Sequence, residues 1–442
     1  FRVLGDMTSK GQTGGMGPDM DDQILVPYTT VMKKLIGSTF IRDITISAAS
    51  AGETKAVADQ IAVVLRDRHK ILPGQDDDFT VRTAEEIADI RTAAMGTPCP
   101  DQLLRTKIAP LTLDPGRLDD DADIAERFEA YRQGYAGYYQ RCAGPHDPKM
   151  RDPNPIVILV PGLGRFTFAA DKTTARLAGE FYGNAINVMR GAEAIGGYLG
   201  PPEKEAFDIE YWALEEAKLQ RMPKPKSLVG KIALITGAGG GIGQATAARL
   251  AAEGACVMLL DLNGEAVEAA RLSLVEKFGR DLVRAAVCDV TDETQVQAAF
   301  DLCAREFGGL DILVANAGIA SSAPIEETTV ELWRKNYDVL VEGYFLASRA
   351  AFPLLKLQQG GSIIFIGSKN ALAATPNASA YASAKAASLH LARCLALEGA
   401  PDGIRVNVVN PDAVIRGSRI WDGEWRQERA GAYGIDAGEE LE

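Results

Sequence analysis

From residue 231 onward, short runs of apolar residues alternate with longer stretches in which apolar residues recur every three or four positions. The runs are typical of buried strands, and the longer stretches are typical of amphipathic helices. The pattern predicts strands at 231–236, 256–260, 284–288, 311–315, 362–366 and 404–409, with helices such as 267–278, 293–306, 333–354 and 380–397 between them. Such alternation requires right-handed crossovers and a parallel sheet covered on both faces. We therefore predict an α/β fold with a doubly wound Rossmann domain at residues 226–442.

The pattern before residue 226 is less regular and predicts two further regions. Short strands at 3–4, 24–26, 41–48 and 79–81 and an amphipathic helix at 53–69 indicate a small mixed α/β domain over residues 1–97. A buried strand at 155–160 and helices at 174–189 and 204–220 indicate an α/β connecting region over 98–225. The segment Met222–Lys226 alternates proline with lysine and is typical of a stiff linker.

Composition restricts the classes of function. The 442 residues suit two or three domains, and 46% hydrophobic with 24% charged residues is ordinary for a globular protein. A net charge of −13 disfavours binding to nucleic acid or to an anionic membrane. No apolar run approaches the ~20 residues that span a bilayer, and no signal peptide is recognisable, so we expect a cytoplasmic protein. The first residue is Phe rather than Met, which indicates a start within a longer protein.

Metal and disulfide chemistry are not predicted. The six cysteines are scattered without C-x-x-C spacing, which favours small buried apolar side chains in a reducing compartment. The three histidines are far apart in sequence, so a metal site would require the fold to gather them. The acidic triplet at 76–78 is interpreted as a solvated turn, because the ligand alternation of a calcium loop is missing.

A glycine-rich turn follows the strand at 231–236 and leads into a helix. A strand that passes through glycines into a helix N-terminus directs backbone N–H groups at one point, which suits a pyrophosphate. The alternative is a tight turn without a ligand. A second G-x-G at 162–164 lacks a third glycine and a downstream acid, which favours a plain turn there. The predicted cofactor-binding residues of the first turn are Gly237, Gly239, Gly241, Ile242 and Gly243.

Asp261 ends the second strand, 18 residues after Gly243. At that position a carboxylate can accept hydrogen bonds from an adenosine ribose. It also repels a 2′-phosphate, and neither Ala238 nor Leu262 supplies a cation to offset the repulsion. The sequence therefore favours NAD over NADP, with Asp261 and Leu262 at the ribose.

Polar residues also follow the next strands. Asp289 and Val290 come after the third strand, where the adenine would lie, and Asn316, Ala317 and Gly318 end the fourth. A polar side chain at the end of the fourth strand can hold the loop beneath the cofactor by hydrogen bonds. These five residues complete the predicted cofactor site together with Tyr381 and Lys385.

Three residues are the predicted catalytic set. Ser368 follows the fifth strand, and Tyr381 comes 13 residues later, four positions before Lys385. Spacing of i and i+4 places Tyr381 and Lys385 on one helical face. A free phenol has a pKa near 10, and a neighbouring ammonium lowers it toward the working range. Tyr381 would be the acid/base, Lys385 its tuner and a ribose anchor, and Ser368 the group that positions the substrate oxygen.

The motifs TGAGGGIG, CDV, NAG, Ser368 and YASAK resemble the short-chain dehydrogenase/reductase family over roughly 228–420. The wider segments CPDQLLRTKIAPL, MRDPNP, EKEAFDIEYWALEEAKLQRMPKP and NPDAV resemble the bifunctional rhamnulose-1-phosphate aldolase/alcohol dehydrogenase family from about 98 to the end. This resemblance implies a dehydrogenase that acts on lactaldehyde in rhamnose metabolism. The zinc-ligand histidines of the aldolase are absent with their whole domain in this interpretation, so no aldolase activity is expected. Residues 98–225 are then a remnant of the aldolase side or a connecting region.

The segments SKGQTGGMGPDMDDQILVPYTT, LRDRHKI and DDDFTV resemble the periplasmic domain of macrolide-exporter-type ABC transporter permeases. Where that family continues with a membrane helix, this chain continues with Thr97-Pro-Cys-Pro100. The change indicates a join of two unrelated pieces, that is, a chimeric or fused chain. The segment read alone would imply the periplasm.

The chain departs from the dehydrogenase family at three places. The usual helix asparagine falls at Leu340, with Asn336 one turn earlier as a possible replacement, and Asp412 replaces a glycine after the sixth strand. The chain also ends before the expected seventh strand, which would expose the sixth strand and remove part of the substrate pocket and of the oligomer contacts. An active enzyme would be a possible homo-oligomer through this domain. Two alternatives to an active enzyme stay open. One is a nucleotide-binding fragment without turnover, and the other is a transporter-assembly module defined by residues 1–97.

Overall fold

A computed structural model describes residues 54–69, 93–97, 100–161, 163–221 and 224–412. The chain forms two compact units, one of residues up to 169 with 174–222, the other of 170–173 with the residues from 223 onward. The strands predicted at 3–4, 24–26, 41–48 and 79–81 and the acidic triplet lie outside the described residues. The domain boundaries predicted at 97/98 and 225/226 stay predictions.

The first unit contains a three-stranded sheet with helices around it. Its elements are α1 (Thr54–His69), α2 (Pro100–Thr106), β1 (Leu111–Thr112), α3 (Asp121–Cys142), β2 (Val157–Val160), β3 (Gly164–Thr167), α4 (Lys172–Ile195), α5 (Glu203–Glu210) and α6 (Ala213–Arg221). β2 is central, parallel to β1 and antiparallel to β3, and all four of its residues are buried. Two clusters, one of them built on Tyr182 and Met189 of α4, cover β2.

Two features of this unit differ from the sequence pattern. Helix α3 is not predicted, and its glycines at 134 and 137 weaken helix propensity in the interior of a 22-residue helix. The helix predicted at 204–220 is broken at Tyr211, whose hydroxyl and ring are fixed by buried contacts with Tyr135 and Phe207. The G-x-G turn joins the antiparallel strands β2 and β3, with Gly162 outside the described residues.

The second unit is a six-stranded parallel sheet with helices on both faces. Its elements are β4 (Ile232–Thr236), α7 (Gly241–Ala252), β5 (Cys256–Asp261), α8 (Gly264–Phe278), β6 (Val283–Val287), α9 (Glu293–Phe307), β7 (Ile312–Ala315), α10 (Val330–Tyr337), α11 (Gly343–Leu357), β8 (Gly361–Ile366), α12 (Ser379–Gly399) and β9 (Ile404–Val409). The strand order is β6-β5-β4-β7-β8-β9, which is the doubly wound Rossmann order. The predicted fold is confirmed.

The two faces of this sheet bury separate clusters, because successive strand residues point to opposite sides. On one face Leu234 and Met258 pack with residues of α9 and α11. On the other face Ile235 and Val257 pack with residues of α7 and α8. The helix predicted at 333–354 is interrupted by a π-helical turn, Asp338–Glu342, in which the Gly343 N–H bonds the Asp338 carbonyl. A single wide turn hardly changes the apolar periodicity, so the sequence pattern does not reveal it.

Within the described ranges, no helix is both long and apolar enough to cross a membrane. Nor do the described residues contain a group of three or more His, Cys, Asp or Glu side chains placed to hold a metal ion. Of the cysteines that the structure describes, 256, 288 and 303 are buried, as the pattern predicts, whereas 394 is exposed.

Candidate active site

The strand order reverses between β4 and β7, which are neighbours in the sheet although β5 and β6 come between them in sequence. In open α/β sheets this switch point opens a crevice at the carboxyl ends of the strands, and ligands bind there. The predicted residues of the glycine turn, the Asn-Ala-Gly segment and Ser368 all follow strands that end at this edge.

The glycine turn between β4 and α7 requires glycine at the positions of closest approach. Gly237 has a φ of +64°, and a Cβ there would lie 2.7 Å from the Ala317 Cα. A Cβ on Gly243 would lie 2.3 Å from the Gly237 carbonyl oxygen and 2.6 Å from Asn316 Nδ2. Positions 237 and 243 therefore have no room for a side chain, because β4, β7 and the start of α7 approach one another closely at the switch point.

Asp261 connects the end of β5 to this turn. Its Oδ2 accepts a hydrogen bond from the Gly239 N–H at 2.8 Å, and its Oδ1 accepts one from the Asn263 N–H at 2.9 Å. A carboxylate has about four acceptor positions, so both oxygens can still accept from ribose hydroxyls. The neighbouring Leu262 is 68% exposed.

Asn316 ties β7 to β4, as the sequence predicts. Its Nδ2 donates to the Thr236 and Gly237 carbonyls, both at 2.9 Å. The Thr236 hydroxyl accepts in return from the N–H groups of Asn316 at 2.9 Å and Ala317 at 3.0 Å. Thr236 is missed by sequence reasoning because a threonine in an apolar strand has many other uses; its place as the last strand residue before the glycines is the available signal.

The residues after β6 and β7 are placed mainly by contacts within the protein. Asp289 Oδ1 accepts from the Thr291 N–H at 2.9 Å and hydroxyl at 2.8 Å, which closes the loop after β6. Val290 is buried against Gly343, where a Cβ would lie 2.9 Å from a Val290 methyl. A Cβ on Gly318 would lie 3.4 Å from Leu340 Cδ2.

Helix α7 begins at Gly241 with Gly240 as its N-cap. The N–H groups of a first helical turn lack partners within the helix, so those of Gly241, Ile242 and Gly243 are the ones available to a phosphate. Ile242 also lines an apolar groove of about 800 Å³ along β7 and β8. The other predicted site residues do not line this groove, so it is distinct from the crevice.

Ser368 is held at the carboxyl end of β8 by the neighbouring strand. Its N–H donates to Asn410 Oδ1 at 3.1 Å, and its hydroxyl oxygen accepts from the Asn370 N–H at 3.2 Å, which leaves the hydroxyl proton for donation. The next residue, Lys369, forms an ion pair with Asp412 and donates its N–H to Pro411. Sequence reasoning missed Asn410, although it directly follows the last predicted strand in the segment NPDAV.

Tyr381 and Lys385 lie in the first two turns of α12, which packs against the short 3₁₀ turn Lys369–Ala371 after Ser368. Lys385 is only 4% exposed, and its ammonium donates to the Ile366 carbonyl at 2.6 Å and to the Tyr344 hydroxyl at 3.2 Å. Burial lowers the pKa of Lys385 from 10.5 to about 7. The structure thus places the predicted lysine beside the end of β8, together with a tyrosine that the sequence analysis did not single out.

Asn336 lies one turn before position 340, where the family's asparagine is expected. It is fully buried, and its Nδ2 donates to the Ser321 hydroxyl and to the Leu332 carbonyl, each at 2.8 Å. Leu340, also fully buried, provides no polar atom. The amide of Asn336 is therefore engaged by Ser321 and Leu332, and a role for it in place of the side chain expected at 340 stays a prediction.

Two family models match the chain. Residues 231–422 match the short chain dehydrogenase family, and residues 48–219 match the second domain of class II aldolases. An uncharacterized oxidoreductase, YxjF, of Bacillus subtilis (strain 168) is 44% identical over 184 residues, which are 42% of this chain and 71% of that protein. This chain belongs to the short-chain dehydrogenase family.

Further proteins are similar to this chain. YuxG, an uncharacterized oxidoreductase of the same Bacillus strain, is 41% identical over 84% of this short-chain dehydrogenase, which spans only 55% of YuxG. The D-threitol dehydrogenase of Mycolicibacterium smegmatis (strain ATCC 700084 / mc(2)155) is 38% identical over 44% of the chain and 75% of that protein. Among solved structures, an NAD⁺-bound xylitol dehydrogenase is 39% identical over 42% of the chain and 72% of its own, with a TM-score of 0.41.

None of these matches supports the transporter resemblance of residues 1–97. The aldolase match begins at residue 48, inside that segment, and continues across the position where a join was expected. The part of this expectation that holds is the combination of an aldolase class II region with a short-chain dehydrogenase domain. The expectation that the aldolase domain is absent as a whole is therefore wrong, because residues 48–219 match an aldolase class II domain. A homo-oligomer formed through the dehydrogenase domain stays a prediction.

Proposed function

We propose that this short-chain dehydrogenase transfers hydride between NAD and a small alcohol or aldehyde. The observation that supports the proposal most is that a side-chain-free glycine turn, the Asp261 carboxylate and Ser368 follow strands that end at one edge of the sheet, where Lys385 bonds the Ile366 carbonyl. A general acid/base and a dinucleotide site on the same edge are what such a hydride transfer requires.

The residues present fit a dinucleotide. A Cβ on Gly239 would lie 2.8 Å from Asp261 Oδ2, so the turn and the carboxylate form a cradle that only glycine permits. The start of α7 offers backbone N–H groups to a pyrophosphate, and Asp261 offers acceptors to two ribose hydroxyls while it repels a 2′-phosphate. We therefore infer that the cofactor is NAD rather than NADP.

Side chains of the protein would transfer the proton of the alcohol hydroxyl. NAD, when bound, supplies the acceptor for the hydride of the alcohol carbon. The Ser368 hydroxyl would donate to the substrate oxygen and orient it, while Tyr381 Oη accepts the hydroxyl proton as the carbonyl forms. The Lys385 ammonium would stabilise the phenolate and bond the nicotinamide ribose. In the reverse direction, Tyr381 returns the proton to the oxygen.

We propose small hydroxylated substrates. One similar protein is named for D-threitol, a small polyol. The finer proposal of lactaldehyde rests on the resemblance to the bifunctional aldolase/alcohol dehydrogenase family and on the match of residues 48–219 to an aldolase class II domain. Both substrates have an alcohol or carbonyl beside a second hydroxylated carbon.

Calorimetric titration with NAD, followed by absorbance of NADH during turnover of lactaldehyde and threitol, tests the proposal. We expect binding of NAD, weaker binding of NADP and turnover that Tyr381→Phe abolishes. Binding without turnover in wild type would select the alternative of a nucleotide-binding fragment. Absence of binding to either cofactor would reject both.

A further inference from the structure

The buried ammonium of Lys385 is held by two oxygens that also bond each other. Ile366 O accepts from Lys385 Nζ at 2.6 Å and from Tyr344 Oη at 2.8 Å, and Lys385 Nζ donates to Tyr344 Oη at 3.2 Å. Tyr344 lies on α11, Ile366 ends β8 and Lys385 lies on α12. Three elements are therefore joined at one point, two residues before Ser368.

Tyr344 is rigidly placed for this contact. The side chain is 1% exposed, and its ring packs edge-on against Phe365 with centroids 4.9 Å apart. It lies two residues beyond the π-helical turn Asp338–Glu342, in which position 340 holds an apolar leucine. The Tyr344 hydroxyl is thus the polar group that α11 supplies to Lys385.

We propose that Tyr344 is a positioning residue of this site, whose phenol oxygen fixes the Lys385 ammonium at the end of β8 in the absence of a polar side chain at 340. The inference rests on the proposed function. An oxygen that accepts from an ammonium favours its charged form, and that charge stabilises the phenolate of Tyr381. Tyr344 acts only through Lys385, so it is not itself a proton donor or acceptor in the reaction.

The groups that face Lys385 determine how its titration responds. These are the Tyr344 phenol from α11 and the Ile366 carbonyl from β8. Tyr381 lies one turn earlier on the same helix as Lys385 and raises the pKa of Tyr344 in addition to burial. Removing the Tyr344 oxygen removes an acceptor of the charged lysine. The pKa of Lys385 should then fall, and less ammonium remains at a given pH to lower the pKa of Tyr381.

Tyr344→Phe tests the proposal, because it removes the hydroxyl and keeps the ring against Phe365. We expect kcat for alcohol oxidation to fall by roughly 10-fold, with little change in the KM of the alcohol. The rising limb of kcat/KM against pH should move up by about one pH unit, since Tyr381 is harder to deprotonate. Ser348→Ala is the matched control: this buried hydroxyl lies one turn later on α11 and donates to the Tyr344 carbonyl at 2.7 Å.

The proposal would be overturned if the rising limb of kcat/KM against pH in Tyr344→Phe lay at the same pH as in wild type. A fall in kcat without a shift of that limb would overturn it as well. If Tyr344→Phe does not fold, Tyr344→Met provides a second hydroxyl-free variant with the same expected shift. The hydroxyl-free variant and Ser348→Ala are compared at equal folded fraction, checked by thermal unfolding.

A second readout needs no turnover. Because the pKa of Lys385 is about 7 in the folded protein, against 10.5 for an unperturbed lysine, the unfolded state holds an extra proton between these limits. The free energy of unfolding should therefore rise with pH from about 7 to about 10.5, relative to a Lys385→Met reference. In Tyr344→Phe the start of this rise should move to lower pH, and an unmoved start would overturn the role of Tyr344. Failure of wild-type turnover, by contrast, would reject only the proposed function.

Discussion

At the scale of single residues, the polar side chains at the sheet edge hold the backbone as well as offering groups to a ligand. Asp261 and Asn316 could be predicted, because a carboxylate after the second strand and an Asn-Ala-Gly segment after the fourth have few other uses. Their partners could not be predicted as easily. Thr236 and Asn410 act through backbone N–H groups that come close only when neighbouring strands pair.

Asp261→Ala should weaken NAD binding and relax the discrimination against NADP. The substitution removes the ribose acceptors and also the hydrogen bond to the Gly239 N–H. Asp261→Asn is the matched control, since an amide oxygen can still accept from Gly239 while the negative charge is lost. Calorimetric titration of both variants with NAD and NADP measures the effect, and unchanged curves for both cofactors would contradict it.

Asn410→Ala should lower kcat by roughly 10-fold, because the Ser368 N–H loses its acceptor and the catalytic hydroxyl is no longer held in line. The affinity for NAD should change little, since the glycine turn and Asp261 are not contacted by Asn410. Asn407→Ala, an exposed change on β9, the strand that Asn410 directly follows, serves as the control. Equal kcat in the two variants would argue against this role of Asn410.

At the scale of elements, the buried strands were the most predictable part of the fold. The six predicted ranges agree with β4–β9 to within one residue at each end. The central strands β4 and β5 are buried on both faces and form continuous apolar runs, whereas the edge strand β9 alternates apolar with polar residues over 404–407. The π-helical turn and helix α3 were not predicted. The π-helical turn lies beside the close approach of Gly343 to Val290, and helix α3 is packed through Tyr135 and Tyr138; both contacts form only in the folded chain.

Gly243→Ala should lower the stability of the second unit and abolish NAD binding. The added Cβ would meet the Gly237 carbonyl at 2.3 Å, so the turn must open at a cost of about 1–3 kcal/mol. Gly134→Ala offers the opposite case, because a Cβ there meets nothing within 4 Å in the middle of α3. We expect that variant to gain about 0.5–1 kcal/mol of unfolding free energy. Chemical denaturation of both variants tests the pair, and a Gly243→Ala protein as stable as wild type would count against the close contact.

At the scale of the whole molecule, each unit has its own apolar core, and the first unit adds a buried polar network. Glu210 is 2% exposed and accepts from Tyr135 Oη at 2.5 Å and Tyr138 Oη at 3.2 Å. Burial raises the pKa of Glu210 against the opposing effect of these hydrogen bonds. No motif in the sequence indicates this network, since its members come from helices α3 and α5 and meet only in the fold.

The network predicts a pH dependence for Glu210. Because its pKa is higher folded than unfolded, the folded state holds the extra proton, and stability should fall as pH rises from about 4.5 toward the raised value. Glu210→Gln keeps an acceptor for the tyrosines and removes the titration, so it should flatten this part of the stability curve. Glu205→Gln, exposed on the same helix, is the control. If the free energy of unfolding changed with pH in the same way in wild type and Glu210→Gln, the Glu210 carboxyl would not be the cause of the pH dependence.

The strand order has a consequence for synthesis on the ribosome. β4 emerges first and ends at the centre of the sheet; β5 and β6 then extend it on one side, and β7, β8 and β9 on the other. Every newly made strand of this unit therefore finds a paired neighbour already present, and no strand must be inserted between two others. Until β7 is translated, however, one flank of the buried strand β4 has no strand beside it, so a pause in translation between residues 287 and 312 would prolong an interval in which that flank can pair with another chain.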